Sequence, residues 1–227
     1  MVDVMAIGAH PDDVEFGCGG ILAKMASEGK RLVIVDLTLG EMGTYGTPSQ
    51  RRAEAHQAAH LIGAERVNLE MGDCSVVDSI ENREKLVSVI REYQPKLVLA
   101  TMWKGEQNHP DHLACGQMAR HACRLARFKN ILPGVKPHTP GGILHYTQKN
   151  FDPPHFIIDI SDHVEMWKKM ILAHDSQMQT KPYLEWNLKK AAFLGTLIGV
   201  EYAQGLAAGN PVFVDDVMSI SQGTLEL

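Results

Sequence analysis

The chain has 227 residues, 44% hydrophobic and 22% charged, a balance that excludes a disordered or fibrous polymer and leaves enough apolar surface for a core. A formal charge of −5 and the lack of any extended Lys/Arg run argue against a nucleic-acid surface. No apolar run approaches the ~20 residues that cross a bilayer, and the opening MVDVMAIGAH carries neither a basic segment nor a cleavage signal. No membrane association is therefore expected, and the chain is expected to stay in the cytosol.

An apolar strand over Val4 to Ala9 opens the chain, followed at once by His10-Pro11-Asp12-Asp13 and a glycine-rich turn, Gly17 to Gly20. A helical pattern from Ile21 stops at Gly29. A second strand, Leu32 to Leu37, runs into Gly40-Glu41 and a loop reaching Gln50. Arg51 to Ile62 reads as a helix closed by Gly63. A short third strand, Arg66 to Leu69, leads into Asp73. Asp78 with Glu81 forms a capping box for a helix ending near Tyr93. Pro95 precedes a fourth strand, Lys96 to Met102, and then comes a second histidine cluster, Asn108-His109-Pro110-Asp111-His112. The stretch from Phe128 to Pro154 is rich in Pro and Gly and reads as an irregular insertion with a short strand at Tyr146 to Gln148. A strand at His155 to Ile160 and helices at Val164 to His174 and Tyr183 to Ile198 complete the pattern. Strands alternating with helices predict one α/β domain over residues 1–227: a Rossmann-like, doubly wound, mainly parallel sheet flanked by helices.

Four cysteines, Cys18, Cys74, Cys115 and Cys123, form no C-x-x-C pair, so neither a disulfide framework nor a zinc knuckle is expected. His-Pro-Asp, in contrast, occurs twice, at 10–12 and 109–111, each time after an apolar strand. In a doubly wound sheet ligands bind beyond the carboxyl ends of strands where strand order reverses, commonly between the first and fourth. Both motifs then face one crevice. His10, Asp13 and His112 offer two imidazoles and a carboxylate with a fourth position open, the composition of a catalytic zinc site. Zn2+ suits this donor set best, and Fe2+ or Co2+ also satisfies it. Asp12 lies between two ligands and is left for another task. Capping of the following helices is the plain alternative for each residue taken singly.

The pattern His10-Pro11-Asp12-Asp13, Gly40-Glu41 and His109-Pro110-Asp111-His112 resembles the PIG-L/LmbE-type zinc deacetylases over nearly the whole chain. Arg51-x-x-Glu54, His174-x-Ser176-Gln177 and Gly199-x-x-Tyr202-Ala203 extend the likeness. The tail from Gly199 to Gly205, with Asp159-Ile160-Ser161, looks most like the bacillithiol-pathway branch, which deacetylates N-acetylglucosaminyl malate. The resemblance implies zinc on His10, Asp13 and His112, with Asp12 as general base toward water made acidic by the metal. It implies that His109, kept protonated by Asp111, steadies the oxyanion, and that Arg51 binds an anionic part of the substrate. It also implies a small N-acetylglucosamine conjugate as partner and a homo-oligomer, in many relatives a homohexamer. Glu41 and Tyr202 are further candidate substrate contacts, against solvation or capping for the first and packing under the sheet for the second. Asn108 and Asp175 depart from the branch, where arginine and lysine are common.

Three rival readings stand beside this one. A nucleotide-binding G-x-G-x-x-G fails in register, because Leu22 occupies its last glycine position. A non-catalytic zinc- or carbohydrate-binding module needs no spare carboxylate beside the metal, so Asp12 favours catalysis. An amidase acting on a thiol conjugate, or on a chitobiose-like sugar, stays open. The remaining histidines, His56, His60, His121, His138, His145, His155, His163 and His174, read as surface or core residues.

Overall fold

The computed structural model of the chain describes residues 1–105, 109–146, 154–216 and 218. Asn108, Thr147 and Gln148, which carried sequence expectations, lie outside them. Seven strands form one sheet in the order β3-β2-β1-β4-β5-β7-β6. The strands are β1 (Val4–Gly8), β2 (Leu32–Thr38), β3 (Glu65–Met71), β4 (Leu97–Thr101), β5 (Gly142–Tyr146), β6 (Phe156–Asp159) and β7 (Ala203–Ala208). The first five pair in parallel, while β7 runs antiparallel to both β5 and β6. The strand order reverses between β1 and β4, as expected for a doubly wound sheet.

Both faces of the central strands are covered, which is why they read as continuous apolar runs. Met5 and Ile7 of β1 face a core built with α3 (Ile80–Tyr93) and α4 (Pro110–Leu125). Val4 and Ala6 face the opposite core, built with α1 (Asp13–Ser27), α2 (Pro48–Leu61), α5 (Val164–Leu172) and α7 (Tyr183–Thr196). A short helix, α6 (Asp175–Met178), links α5 to α7. No described helix is long and apolar enough to cross a membrane.

The structure moves several boundaries. The glycines expected to form a turn lie inside α1, which starts eight residues before Ile21 and bends at Cys18, with φ −146° and ψ 17°. Tertiary packing overrides their weak helix propensity: a Cβ on Gly17 would collide with the Tyr146 ring, and one on Gly19 would meet Trp167 at 2.8 Å. These glycines bring α1 against the sheet and α5. The second helix starts at Pro48, with the Thr47 side chain accepting from the Gln50 N–H. The cap of α3 is Ser79, which accepts from the Asn82 N–H, not Asp78. Asp78 instead binds Arg83 and His121. The strand placed at Tyr146 is β5, ending there. The sequence pattern missed β7 altogether, because Ala-Gln-Gly-Leu-Ala-Ala carries no β-branched or aromatic residue.

Candidate metal centre and active site

The site is assembled where β1 and β4 end. His10 follows β1 by two residues, and Asp13 opens α1. The turn between them is held by the His10 N–H donating to Asp13 Oδ2 at 2.9 Å, and by Thr38 donating from both N and Oγ1 to the Ala9 carbonyl. Across the crevice, Pro110 occupies the first turn of α4 behind His109. The Thr101 hydroxyl donates to the His112 carbonyl at 2.7 Å, tying that turn to the end of β4.

His10, Asp13 and His112 converge as expected. His112 Nε2 lies 3.0 Å from Asp13 Oδ1, and His10 Nδ1 lies 3.4 Å from Asp13 Oδ2. Their ligand atoms are close enough to share one cation. The electrostatics also ask for one. Burial opposes charge on His10, but hydrogen bonds to Asp111, Asp13 and Asp73 outweigh it and push its pKa up to about 12. Burial likewise opposes ionisation of Asp13, yet His112 and His10 hold its pKa well below the usual range. Four carboxylates, those of Asp12, Asp13, Asp73 and Asp111, thus surround a small histidine cluster, and a divalent ion suits this nitrogen and oxygen donor set.

Asp12 sits beside the ligands with its backbone at φ 117° and ψ −28°, and its side chain caps nothing. A non-glycine residue in that conformation is strained, and such strain gathers at functional sites. Burial raises the Asp12 pKa to about 6, against the pull of Arg51.

Arg51, expected to bind an anionic part of the substrate, lines the cavity. It is 5% exposed, one turn inside α2, and its guanidinium is engaged: Nη1 donates to the Gly40 carbonyl at 2.8 Å, and Nη2 to the Pro11 carbonyl at 2.8 Å and to Asp12 at 3.3 Å. Gly40, at φ 65°, accommodates this approach, since a Cβ there would collide with the guanidinium. Arg51 therefore clamps the loops after β1 and β2 and orients Asp12.

Asp111 also turns away from its expected partner. Its carboxylate accepts from the Cys74 N–H at 2.8 Å and the Val76 N–H at 3.2 Å, and lies 3.3 Å from His10 Nε2. The separation from His109 Nδ1 is 4.0 Å. His109 instead caps α4, its Nδ1 accepting the Asp111 N–H, which assigns the ring proton to Nε2. Burial and the neighbouring His10 lower the His109 pKa, against the opposing pull of Asp111 and Asp73. The reason Asp111 turns away is geometric: the loop after β3 offers it two backbone N–H groups that the imidazole two residues earlier cannot match.

Glu41 accepts from the Asp73 N–H and ties the loops after β2 and β3 together, but does not line the cavity. Tyr202 packs against the core on the α1 and α5 side and is likewise absent from the cavity wall. Asp175 is exposed, and His174 is buried within 3.3 Å of Glu15. Within the histidine and carboxylate cluster, Asp73 escaped the sequence reading. Asp73 follows β3, accepts from the Met42 N–H, and lies 3.0 Å from His10 Nε2. The rule that places sites at the carboxyl ends of strands, applied to the third strand as to the first and fourth, would have found it. The cavity above these groups holds about 420 Å3.

Fold and site together define an α/β protein that gathers two histidines and a carboxylate able to hold a metal ion at its topological switch point. The family of GlcNAc-PI de-N-acetylases, PIG-L, matches residues 5–123, and the chain belongs to that family. It is 30% identical over 221 residues to diacetylchitobiose deacetylase of Thermococcus kodakarensis, covering 89% of this chain and 81% of the relative. Among solved structures, a conserved protein of Thermus thermophilus superposes with TM-score 0.89 at 33% identity, covering 94% of this chain and 97% of that one. N,N'-diacetylchitobiose deacetylase of Pyrococcus horikoshii, solved with an inhibitor, superposes with TM-score 0.81 at 29% identity, covering 90% and 82%.

Proposed function

We propose that the protein hydrolyses the acetamide of an N-acetylglucosamine conjugate, with zinc held by His10, Asp13 and His112. The observation that carries this reading is Asp12: a carboxylate of raised pKa, on strained backbone, next to a metal-ligand cluster but outside it. A cluster built only to bind metal has no use for it. Zinc held by His10, Asp13 and His112 would supply Lewis acidity for the acetyl carbonyl and lower the pKa of water.

The chain's own groups do the rest. Asp12 accepts a proton from the water that adds to the acetyl carbon. Arg51 holds the Asp12 carboxylate toward that water. His109, with its proton on Nε2, donates toward the carbonyl oxygen as charge develops there. The carbon–nitrogen bond then breaks, acetate leaves, and the amine takes the proton that Asp12 received. Asp111 and Asp73 act one step away, holding the far nitrogen of His10 so that Nδ1 faces the ligand cluster. Carboxylates behind metal-binding imidazoles orient the ring and fix its tautomer.

For the substrate, the Gly199 to Gly205 tail favours N-acetylglucosaminyl malate, and the likeness to a diacetylchitobiose deacetylase favours a disaccharide as second reading. The homo-oligomer, the cytosolic location and the single domain over 1–227 belong to the same proposal. Acetate release from a panel of N-acetylglucosamine conjugates, assayed with zinc, cobalt and iron, tests it. Asp12→Asn should keep its metal and lose at least ~10²-fold in kcat. Full activity in that variant would remove Asp12 as the base.

A further inference from the structure

Of the four cysteines, Cys74 alone is exposed and lines the cavity, while Cys18 and Cys115 are buried and Cys123 is half-buried. Its thiol stands on unusual backbone. Cys74 has φ 61°, a left-handed conformation that any side chain makes costly. Its N–H is tied to two carboxylates at once, donating to Asp111 Oδ2 and to Asp73 Oδ1 at 2.8 Å each. Strain of this kind persists only where the surroundings hold it, and it gathers at ligand sites.

The thiol faces His109. Cys74 Sγ lies 3.7 Å from His109 Nε2, and both residues line the cavity. Bond lengths of ~2.3 Å to sulfur and ~2.0–2.1 Å to nitrogen, at the tetrahedral angle, set two donors of one zinc ion about 3.6 Å apart. The pair therefore already stands at ligand spacing. A hydrogen bond between the two groups would give a similar separation, but it would not need the charge around them. Asp73 precedes the thiol in the chain, and Asp111 accepts its N–H and lies 4.0 Å from His109 Nδ1. A cation between sulfur and imidazole is drawn in by both carboxylates. His10, whose ring centroid is 4.6 Å from that of His109, opposes it only while protonated, and a metal-binding imidazole is neutral.

We infer that Cys74 and His109 form a second cation site in the cavity, for zinc or a similarly thiophilic divalent ion, and that filling it switches hydrolysis off. The ion takes Sγ and Nε2 from the chain and completes its shell with water, and the protons of both groups pass to solvent. Sulfur sets this pair apart from His10, Asp13 and His112, which offer only nitrogen and oxygen. Two protein donors beside an ion already held make it the weaker site, filled when metal is in excess. Hydrolysis stops because His109 no longer has its Nε2 proton to donate to the carbonyl oxygen. That consequence rests on the deacetylase reading, and the site itself does not.

Cobalt is the probe for the site. The metal-free full chain is titrated with Co2+ under a thiol-free reductant. The first equivalent should enter without sulfur, and the second should bring a thiolate-to-cobalt charge-transfer band in the near ultraviolet. Cys74→Ser should keep the first equivalent and lose the band, and His109→Ala should lose the second equivalent. A band that survives Cys74→Ser, a band on the first equivalent, or a wild type that shows no band at all overturns the site. Zinc then tests the switch. Acetate release should rise with the first equivalent and fall as zinc exceeds it. Loss of an outer-shell partner alone costs ~10–100-fold in metal affinity, so loss of a ligand in Cys74→Ser should raise the inhibitory zinc concentration at least ~10-fold. Activity at one equivalent should not change, which also shows that the variant folds. Equal inhibition of wild type and Cys74→Ser overturns the switch. A Cys74-dependent band in protein that releases no acetate from any conjugate would keep the site and remove the deacetylase reading.

Discussion

At φ 117°, Asp12 holds a conformation that a free peptide would leave at once. It is kept there by neighbours on both sides, His10 and Asp13, whose side chains belong to the ligand cluster, and by Arg51 from α2. Burial lifts its pKa to about 6, so the carboxylate is ionised at pH 7 to 8 and takes up a proton as pH falls through that value. The base is then lost, so kcat/KM should fall on the acid side, with a bound cation pulling that limb lower still. The residual activity of Asp12→Asn should lack this limb, and a limb that persists would assign it to another group. Arg51→Met leaves the Gly40 and Pro11 carbonyls and Asp12 without their donor, and each buried unsatisfied acceptor costs ~1–3 kcal/mol. A lower Tm and similar losses on charged and neutral glycosides are expected. A loss confined to charged substrates would return Arg51 to the role of anion receptor.

Among the elements, α3 shows how a local signal is overruled. Asp78 and Ser79 are both good capping residues, and Glu81 completes a capping box with the first. The choice is made by α4: His121, 43 residues away in sequence, draws the Asp78 carboxylate to 2.6 Å, and Ser79 caps the helix instead. Ser79→Ala should then cost ~0.5–2 kcal/mol in chemical denaturation while leaving acetate release unchanged, since the residue lies outside the cavity. No loss of stability would return the cap to Asp78. Helix α1 makes the same point through packing. Its glycines are poor helix formers, but Tyr146 and Trp167 occupy the space a side chain would need.

For the molecule as a whole, the proposed zinc site would link metal binding to the fold. His10 has its pKa pushed up to about 12, above the ordinary value of 6.5, by three carboxylates that outweigh burial. A raised histidine pKa contributes stability that is complete below the unfolded value and is lost only as pH rises through the folded one. At pH 7.5 the ring is thus protonated, and zinc, which needs the neutral ring, must displace that proton. Calorimetry in two buffers of different ionisation enthalpy should show about one proton released per zinc, and none released would remove His10 from the ligand set. Because the proposed ligands follow β1 and open α1 and α4, zinc should also raise Tm, by an amount equivalent to ~4 kcal/mol at a thousandfold excess over Kd. Chelator should reverse it.

What the amino-acid order determined by itself is the periodicity and the paired motif: apolar runs alternating with helical patterns specify the doubly wound sheet, and His-Pro-Asp after two strands specifies where the two histidine clusters meet. Those signals are local, and the chemistry of ligands limits residue types tightly enough to be legible without coordinates. Only the tertiary structure decided the partners. Asp111 takes two N–H groups of the loop after β3, Arg51 reaches Asp12 and the Gly40 and Pro11 carbonyls, Asp73 joins the cluster, and Trp186 with two lysines walls the cavity. Each of these depends on which hydrogen-bond donors, acceptors and rings meet across dozens of residues of intervening chain. Buried polar groups take the best partner the packed structure offers, and sequence spacing carries no record of that competition.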